Sequence, residues 1–490
     1  MPDAVPVPVH LAAVLAGLAA NPALPPELIR RLLAYRRGVG QVAKRADLTA
    51  ELIAEIIATD DHWLLHSLAL NRRLPDPVRF RLAEHRDPAI RVALVVGSSD
   101  APRELFARLV DDQDAGVRQR LTESDHVPAD LRARLVRDPE PEVRASLAQW
   151  WPQAPEEVRR ILLTDPVDEV RAAACSTYYR RLPHPAPPAD LIPALLDDPV
   201  TRAGVVSHLV LTAETALRLA EDPDDDVRRE VARHPHLPPE LRDRLGEDAC
   251  PSVRVAVFAR PDTPESLRHR IYAEIRQAGA VPLIDRGHRT LDGDEFLRRF
   301  EESIAATELG ALDLPWVTAD PLPHLSSPYV CFRGSAARSR ALPADAVLRL
   351  LDDEESIVRT TMARYAPELV DLATAERIDR DFRPDKMTDW RPADDFAFPP
   401  QTLRRFASDA DARMRCLAPR DPDLPPELAE RLAADPVNSV RHAVAGHPRL
   451  PTRVLIALLA DPADAVAHAA AGSRHLPVAD MERLLSLAGA

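Results

Sequence analysis

Apolar residues recur along the chain in two short runs, and the pair of runs repeats every 26 or 27 residues. The first run follows an Asp, often a Pro, and three variable residues, and it reads Val-Arg and then an apolar pair, as in residues 222–232. The second run begins Leu-Pro-Pro-Glu-Leu and places leucines four residues apart, as in residues 237–245. Because residues four apart share one face of a helix, each run predicts a short amphipathic helix.

The residues that flank the two runs predict where the helices begin and end. The Asp of the first run suits a helix N-cap, and the Pro after it suits the first turn, where its missing N–H costs nothing. The dipeptides Asn21-Pro22, His234-Pro235 and His447-Pro448 predict a helix stop followed by a turn. Helices of roughly 8 to 11 residues are not stable alone in water, so each must bury its apolar stripe against a neighbouring repeat.

This pattern predicts an all-α fold, a right-handed α-solenoid (superhelix) of about eighteen two-helix repeats of about 26 residues. The signature is regular over residues 1–271, which predicts an N-terminal repeat array. Residues 272–332 read as degenerate repeats, and residues 333–490 as a C-terminal array with a loop insertion at 379–400. We expect one continuous solenoid.

The composition limits the classes of binding partner and the cellular compartment that we expect for this chain. Aromatic residues make up 4% of the chain, so the core must be built from Leu, Val and Ala. The net charge of −14 repels a polyanion unless one surface is locally basic, so nucleic acid is an unlikely partner. The four cysteines are widely spaced with no CxxC pair, which favours free thiols in a reducing cytoplasm.

The only candidate targeting segment is the apolar stretch at residues 10–20, which has the length of a signal-peptide core. No Lys or Arg precedes it, and it falls into phase with the repeat. No apolar run reaches the ~18 to 20 residues that a membrane span requires. We therefore expect a cytoplasmic protein without membrane contact.

The Asp-x-x-x-x-Val-Arg signature resembles that of HEAT repeats, and the short period with Leu-Pro-Pro-Glu-Leu resembles bacterial leucine-rich repeat variant proteins. The resemblance covers nearly the whole chain and implies binding rather than a reaction. It also implies bonds between the Asp and Arg of adjacent repeats. The structural ladder so implied comprises Asp138, Arg144, Asp165, Arg171, Asp222, Arg228, Asp248, Arg254, Asp435 and Arg441. Some relatives carry an iron–sulfur cysteine cluster, but no cysteine precedes Cys175 here.

Candidate metal and nucleotide motifs are weak. His62 and His66 are four apart on a predicted helix, but HExxH and a third ligand are absent from the sequence around them. Gly38-x-Gly40-x-x-Ala43 resembles a nucleotide fingerprint, but no strand precedes it. The sequence therefore predicts no cofactor, no metal and no catalytic residues.

The row of ladder arginines has a second interpretation as a track for nucleic-acid phosphates. Each of these arginines has an Asp six residues earlier, as Arg144 has Asp138, and such pairing would neutralise both charges. The structural interpretation is therefore favoured.

Aromatic residues that break the repeat are the candidate partner-binding positions. Trp150 and Trp151 occupy the same turn of one repeat as Tyr178 and Tyr179 do in the next, so we expect them to be neighbours on one rim. Aromatic and arginine side chains together are enriched in interface hot spots. The candidate set is Trp150, Trp151, Tyr178, Tyr179, Arg180, Arg181, Trp316 and Trp390; filling of gaps in irregular repeats is the alternative role.

Taken together, the sequence predicts a non-enzymatic protein–protein interaction scaffold that holds a protein or peptide partner. One alternative is a nucleic-acid-binding HEAT-like solenoid. A second alternative is an enzyme of the HEAT-like lyase or glycosylase type, since fold alone does not determine function.

Overall fold

A computed structural model of the chain describes residues 8–35, 40–175, 184–279, 293–382 and 390–489. Over these residues the regular secondary structure is helical, with no strand. Short helices follow one another in pairs, at the spacing that the apolar runs predict. The predicted all-α solenoid of helical repeats is confirmed.

The helices are α1 (Leu11–Ala20), α2 (Pro26–Tyr35), α3 (Gly40–Ala43), α4 (Ala50–Ala58), α5 (His62–Ala69), α6 (Asp76–Ala83), α7 (Pro88–Gly97), α8 (Arg103–Leu109), α9 (Ala115–Thr122), α10 (Ala129–Arg134), α11 (Pro141–Trp150), α12 (Glu156–Leu163), α13 (Asp168–Cys175), α14 (Ile192–Asp197), α15 (Arg202–Val206), α16 (Ala213–Ala220), α17 (Asp225–Arg233), α18 (Pro239–Leu245), α19 (Pro251–Phe258), α20 (Glu265–Gly279), α21 (Gly293–Ala311), α22 (Pro315–Ala319), α23 (Val330–Ala336), α24 (Ala344–Leu351), α25 (Ser356–Tyr365), α26 (Leu372–Asp381), α27 (Pro400–Phe406), α28 (Ala412–Arg415), α29 (Pro426–Ala433), α30 (Asn438–Val444), α31 (Thr452–Leu458), α32 (Asp464–Ala471) and α33 (Val478–Ala488). Within the described ranges, 3₁₀ turns lie at Leu135–Arg137, Leu322–His324, Pro367–Leu369, Pro392–Asp394 and Ala418–Arg420.

The helices form two compact units, of which unit 1 comprises Met1–Val143 and Phe398–Ala490 and unit 2 comprises Arg144–Ala397. In unit 2, helices α15, α17 and α19 pack side by side in that order, and α21 packs on α19. The valines of these helices, such as Val227, Val231 and Val253, are fully buried in one hydrophobic cluster. Each helix pair thus depends on its neighbour for its apolar contacts, as short helices require.

The signature Asp stands two residues before the N-cap rather than at the N-cap itself. In the repeat that contains α17, Asp222 accepts the backbone N–H of Asp224 at 3.0 Å, and Asp224 is the N-cap residue. The same turn recurs at Asp435, whose carboxylate accepts the N–H of Val437 at 2.9 Å. The side chain therefore fixes the turn that leads into the helix, and its second oxygen stays available for another donor.

In several repeats, a side chain that follows the first helix links successive repeats through backbone carbonyls. Asn71 donates to the carbonyls of Ala43 and Arg45 at 3.0 and 2.8 Å. Arg260 makes the same pair of bonds to Ala232 and His234, at 2.9 and 2.6 Å. These carbonyls lie at helix ends, where they lack hydrogen-bond donors within their own helix. The side-chain bonds supply these donors and link the two repeats.

In unit 1, helix α1 packs on α32, and α2 packs on α33. Asn21 donates to the carbonyls of Ala471 and Ser473 at 2.9 and 2.7 Å, which is the bond pair that links sequence-adjacent repeats elsewhere. His10 Nε2 lies 2.8 Å from the carbonyl oxygen of Pro462. The repeat at residues 8–35 therefore stacks on the repeat at residues 464–489 as if it followed directly in the chain.

A glycine permits the closest approach between these two repeats. A Cβ atom on Gly17 would lie 2.1 Å from the carbonyl oxygen of His468, which is a backbone atom rather than the end of a flexible side chain. His468 Nδ1 in turn lies 3.1 Å from the carbonyl oxygen of Ala13. A side chain at position 17 is therefore incompatible with the observed packing of α1 on α32.

Candidate partner-binding surface

Most ladder arginines donate to two kinds of acceptor, a carboxylate of the next repeat and a backbone carbonyl of their own repeat. Arg441 donates from Nε and Nη2 to the two carboxylate oxygens of Asp461 at 2.7 and 2.8 Å, and from Nη1 to the carbonyl of Asp435 at 2.8 Å. Asp461 belongs to the next repeat, 20 residues later. The Asp six residues earlier thus offers its backbone carbonyl to the arginine, while the carboxylate that pairs with the arginine comes from the following repeat.

The same arrangement recurs through both units with N–O distances of 2.6 to 3.0 Å. The pairs are Arg91–Asp112, Arg118–Asp138, Arg144–Asp165, Arg171–Asp198, Arg202–Asp222, Arg228–Asp248, Arg333–Asp353, Arg359–Asp381, Arg415–Asp435 and Arg441–Asp461. Most of these side chains are buried or nearly so, and a paired, buried guanidinium has little surface to offer a phosphate. Arg254 is not among these pairs; it donates to the carbonyl of Asp248 at 2.6 Å.

The predicted rim falls partly outside the described residues, because Tyr178, Tyr179, Arg180 and Arg181 lie there. Trp150 is the last residue of α11 and is partly buried. Trp151 lines a small cavity together with Arg159, Cys175 and His208. Both tryptophans have neighbours in the fold, so their role in partner binding stays a prediction.

Trp316 packs within an aromatic cluster of unit 2. Its ring lies edge-on to Phe332 at 5.3 Å and to His324 at 5.2 Å. Its indole N–H donates to the carbonyl of Ala259 at 3.0 Å, and the Arg268 guanidinium lies 5.8 Å from the ring. These contacts pack Trp316 against its own fold, and its role in partner binding stays a prediction.

Trp390 lies at the edge of the predicted loop insertion, most of whose central residues are outside the described part of the chain. Its ring packs edge-on against Phe382 at 5.4 Å, and the Arg364 guanidinium lies 5.8 Å from its centre. The neighbours found for Trp390 and those found for Trp316 are different residues. The two tryptophans therefore lie in separate clusters.

A groove of about 570 Å³ opens beside α13, α15 and α17 in unit 2. Its lining includes Cys175, His208, Asp226 and Arg229. Burial raises the pKa of the Cys175 thiol to about 12 and lowers the pKa of His208. The thiol is therefore protonated at neutral pH, which makes it a poor nucleophile. Asp226 and Arg229 form an ion pair at 2.7 Å, so the two charges neutralise each other.

Several exposed apolar side chains lie together on α21. Phe296, Phe300 and Ile304 are each 45 to 46% exposed, and Leu297 is 57% exposed. The two phenylalanine rings stack at 6.1 Å with an interplanar angle of 9°. Phe296, Phe300 and Ile304 have the spacing i, i+4 and i+8 and form one stripe. Leu297 lies next to this stripe, and we call the four residues the α21 row.

The other side of α21 is packed in the core, where Ala305 and Leu309 are fully buried against α19 and α20. The helix thus carries two apolar faces, and among the described residues only the face with Ala305 and Leu309 packs against other helices. The sequence signal was present as Phe-x-x-x-Phe-x-x-x-Ile, but it lay in a segment that reads as degenerate repeats. The α21 row is the functional candidate that sequence reasoning missed.

Charged residues flank the α21 row and are largely paired with each other. Arg298 bonds to Glu302 at 2.7 Å, and Arg299 bonds to Glu295 at 2.6 Å. Over its length α21 has five acidic and two basic residues, so it carries a net negative charge. An apolar stripe with acidic flanks suits an amphipathic partner with basic flanks.

The two histidines of α5 contact each other, and His62 also contacts Asp87. The rings of His62 and His66 stack at 6.2 Å, and His62 Nδ1 lies 2.6 Å from a carboxylate oxygen of Asp87. Across the described ranges, no group of three or more His, Cys, Asp or Glu side chains is arranged to hold a metal ion. None of the helices in those ranges is both long and apolar enough to cross a membrane.

Comparisons with known proteins give distant likenesses only. No family model and no curated protein matches the chain. Among solved structures, Kap121p bound to Ste12p is 15% identical over 89% of this chain, with a TM-score of 0.25, and Kap121p bound to RanGTP is 14% identical over 88%, with a TM-score of 0.23. The matches span 50% and 48% of those chains, so this chain covers about half of their length. An engineered protein is 14% identical over 97% of the chain, with a TM-score of 0.14.

Proposed function

We propose that this chain is a non-enzymatic protein–protein interaction scaffold of the HEAT-like, leucine-rich-repeat-variant type found in bacteria. Its partner is an amphipathic helix of another protein, and the helix docks on the α21 row. The four cysteines are free thiols, which suits the reducing cytoplasm in which we place it.

The observation that carries this proposal is the uncovered second apolar face of α21. Large exposed apolar patches on proteins mark interaction sites, and residues spaced by four along a helix match the anchors of a partner helix. The negative charge of α21 favours basic residues at the margins of that helix. The groove beside Cys175 does not suit catalysis through that thiol, which is held protonated.

Replacing Phe296 and Phe300 together by serine should weaken capture of the partner by about tenfold or more, since aromatic anchors dominate interface energies. The measurement is affinity capture from the native cell, with partners identified by mass spectrometry and their binding then quantified with purified protein. The matched control is the double replacement of Leu348 and Ile357 by serine, because both are exposed apolar residues of unit 2 outside the α21 row.

The proposal requires that the control retain the partner and that the α21 double variant lose it. If the wild-type chain retains no protein, or if all three chains retain the same proteins equally, the α21 row is not a docking surface. A partner whose contact region has no helical propensity would also contradict the proposed occupant.

A further inference from the structure

His234 lies at the end of the first helix of its repeat, at the position that Asn71 holds in another repeat. Asn71 donates through Nδ2 to carbonyls of the preceding repeat, and its Oδ1 accepts the backbone N–H of Arg73 at 2.9 Å. Asn21 makes the same two kinds of bond, and its Oδ1 accepts the N–H of Ala23 at 2.8 Å. Each asparagine therefore donates from one atom and accepts at the other, which couples its turn to the neighbouring repeat.

A neutral histidine reproduces this arrangement with its two ring nitrogens. His234 Nε2 lies 3.2 Å from the carbonyl oxygen of Leu209, and its Nδ1 accepts the backbone N–H of His236 at 3.2 Å. A carbonyl oxygen only accepts and a backbone N–H only donates, so the ring is neutral and carries its proton on Nε2. His447 makes the same two kinds of bond in unit 1, at 2.8 and 3.1 Å.

A second proton on the His234 ring is incompatible with these two bonds. It would place an N–H on Nδ1, so that two donors, the ring and the backbone of His236, would face each other. His234 is 3% exposed, so the charged ring would also lose most of its hydration. Either the turn or the bond to Leu209 must then break, and this bond joins the repeat of α17 to the repeat of α15.

The surroundings of the ring oppose its protonation. From the following repeat, Arg260 donates to the backbone carbonyl of His234 at 2.6 Å and also pairs with Asp262 at 2.8 Å. The ring of His236 lies 5.9 Å away on the same turn, and the preceding repeat contributes His208, next in sequence to the carbonyl that His234 binds. Burial, the largest effect, lowers the pKa of His234; His236 and Arg260 act in the same direction, and the bonded carbonyl acts in the opposite one.

We propose that His234 makes the junction between α15 and α17 a pH-sensitive switch, closed while the ring is neutral and opened when the ring binds a second proton. A group with a lowered folded pKa stabilises the fold fully above its unfolded pKa, about 6.5 for histidine, and this contribution is lost as the pH falls from there through the folded value. The junction is therefore closed at neutral pH and opens on acidification. This switch goes beyond the proposed docking on the α21 row and does not depend on it.

Hydrogen exchange of two turn amides in the wild-type chain tests the switch without any substitution. The amide of His236 donates to the titratable ring of His234, whereas the amide of Arg73 donates to Asn71, which does not titrate. Between about pH 7.5 and about pH 5, the protection factor of the His236 amide should fall by about tenfold relative to that of the Arg73 amide, because one proton changes the opening equilibrium by up to about tenfold per pH unit. Equal changes at the two amides overturn the proposal.

His234→Asn supplies a donor and an acceptor without a titratable group, as Asn71 does in unit 1. In this variant the His236 amide should keep its protection, relative to the Arg73 amide, at both pH values. The matched control is His269→Asn, which removes an exposed histidine of unit 2 and should show the wild-type loss of protection. Protection that falls in His234→Asn as it does in the wild type, or that no longer falls in His269→Asn, contradicts the proposal. The wild-type comparison decides the question if His234→Asn does not fold.

Discussion

Replacing Val227 by aspartate will lower the free energy of unfolding of unit 2 by about 4 kcal/mol or more. Val227 is fully buried on α17 in the cluster that joins α17 to α19. Aspartate at this position must either desolvate its charge or bind a proton, and it also removes the apolar contacts of the valine. Since neither repeat is stable without the other, the loss spreads to the neighbouring helices.

The measurement is the denaturant midpoint of the purified variant, with amide hydrogen exchange to locate the loss. Val210→Asp is the matched control, because it makes the same chemical change at a residue that is 93% exposed, and its midpoint should equal that of the wild type. A midpoint of Val227→Asp that coincides with the Val210→Asp midpoint would contradict the shared core.

Asp435→Ala should have the second large effect and lower the free energy of unfolding of unit 1 by about 3 kcal/mol or more. Asp435 receives two hydrogen bonds from Arg415, at 2.7 and 2.9 Å, and one from the backbone N–H of Val437. The carboxylate is 8% exposed, so its removal leaves a largely buried guanidinium without its anion and a helix entry without its turn.

Thermal or denaturant unfolding of unit 1 measures this effect, and Asp423→Ala is the control. Asp423 pairs with Arg449 at 2.9 Å, but both side chains are more than half exposed. Exposed ion pairs contribute little, so the control should unfold as the wild type does. If Asp435→Ala and Asp423→Ala unfold at the same midpoint, the ladder is not a stabilising element.

The same aspartate makes part of the stability of unit 1 acid-sensitive. The hydrogen bonds from Arg415 hold the pKa of Asp435 below its ordinary value. A carboxyl group with a lowered folded pKa stabilises the fold above its unfolded pKa of about 3.9, and this contribution disappears as the pH falls through the folded value. The gap between wild type and Asp435→Ala should therefore be constant near neutral pH and narrow below about pH 4.

The repeat architecture could be predicted from the sequence because each repeat encodes it locally. The Leu-Pro-Pro-Glu-Leu run at residues 237–241 marks a turn, a helix start and an apolar face within five residues. The prediction that the signature Asp is the helix N-cap was wrong, because an Asp can hydrogen-bond a backbone N–H either as the N-cap or from two residues before it. Sequence spacing alone does not distinguish the two.

Contacts that depend on three-dimensional packing could not be predicted in this way. The α21 row lies in a segment that reads as degenerate repeats, and a sequence shows that a helix face is apolar but not whether anything covers it. The packing of α1 on α32 joins residues that are 450 or more positions apart, and a pattern with a period of about 26 residues contains no information about such a pair.

Every repeat is completed by a neighbouring repeat, and in unit 1 this applies between residues 8–35 and 464–489. The test is a double electron–electron resonance distance between spin labels at the exposed positions Val9 and Asp464, with the native cysteines replaced by serine. Packed helices lie about 10 Å apart, so we expect a single narrow distribution of distances between the spin labels at roughly 20 Å. Gly17→Val should broaden this distribution. A broad distribution centred beyond about twice that distance in the unmodified background would contradict the claim.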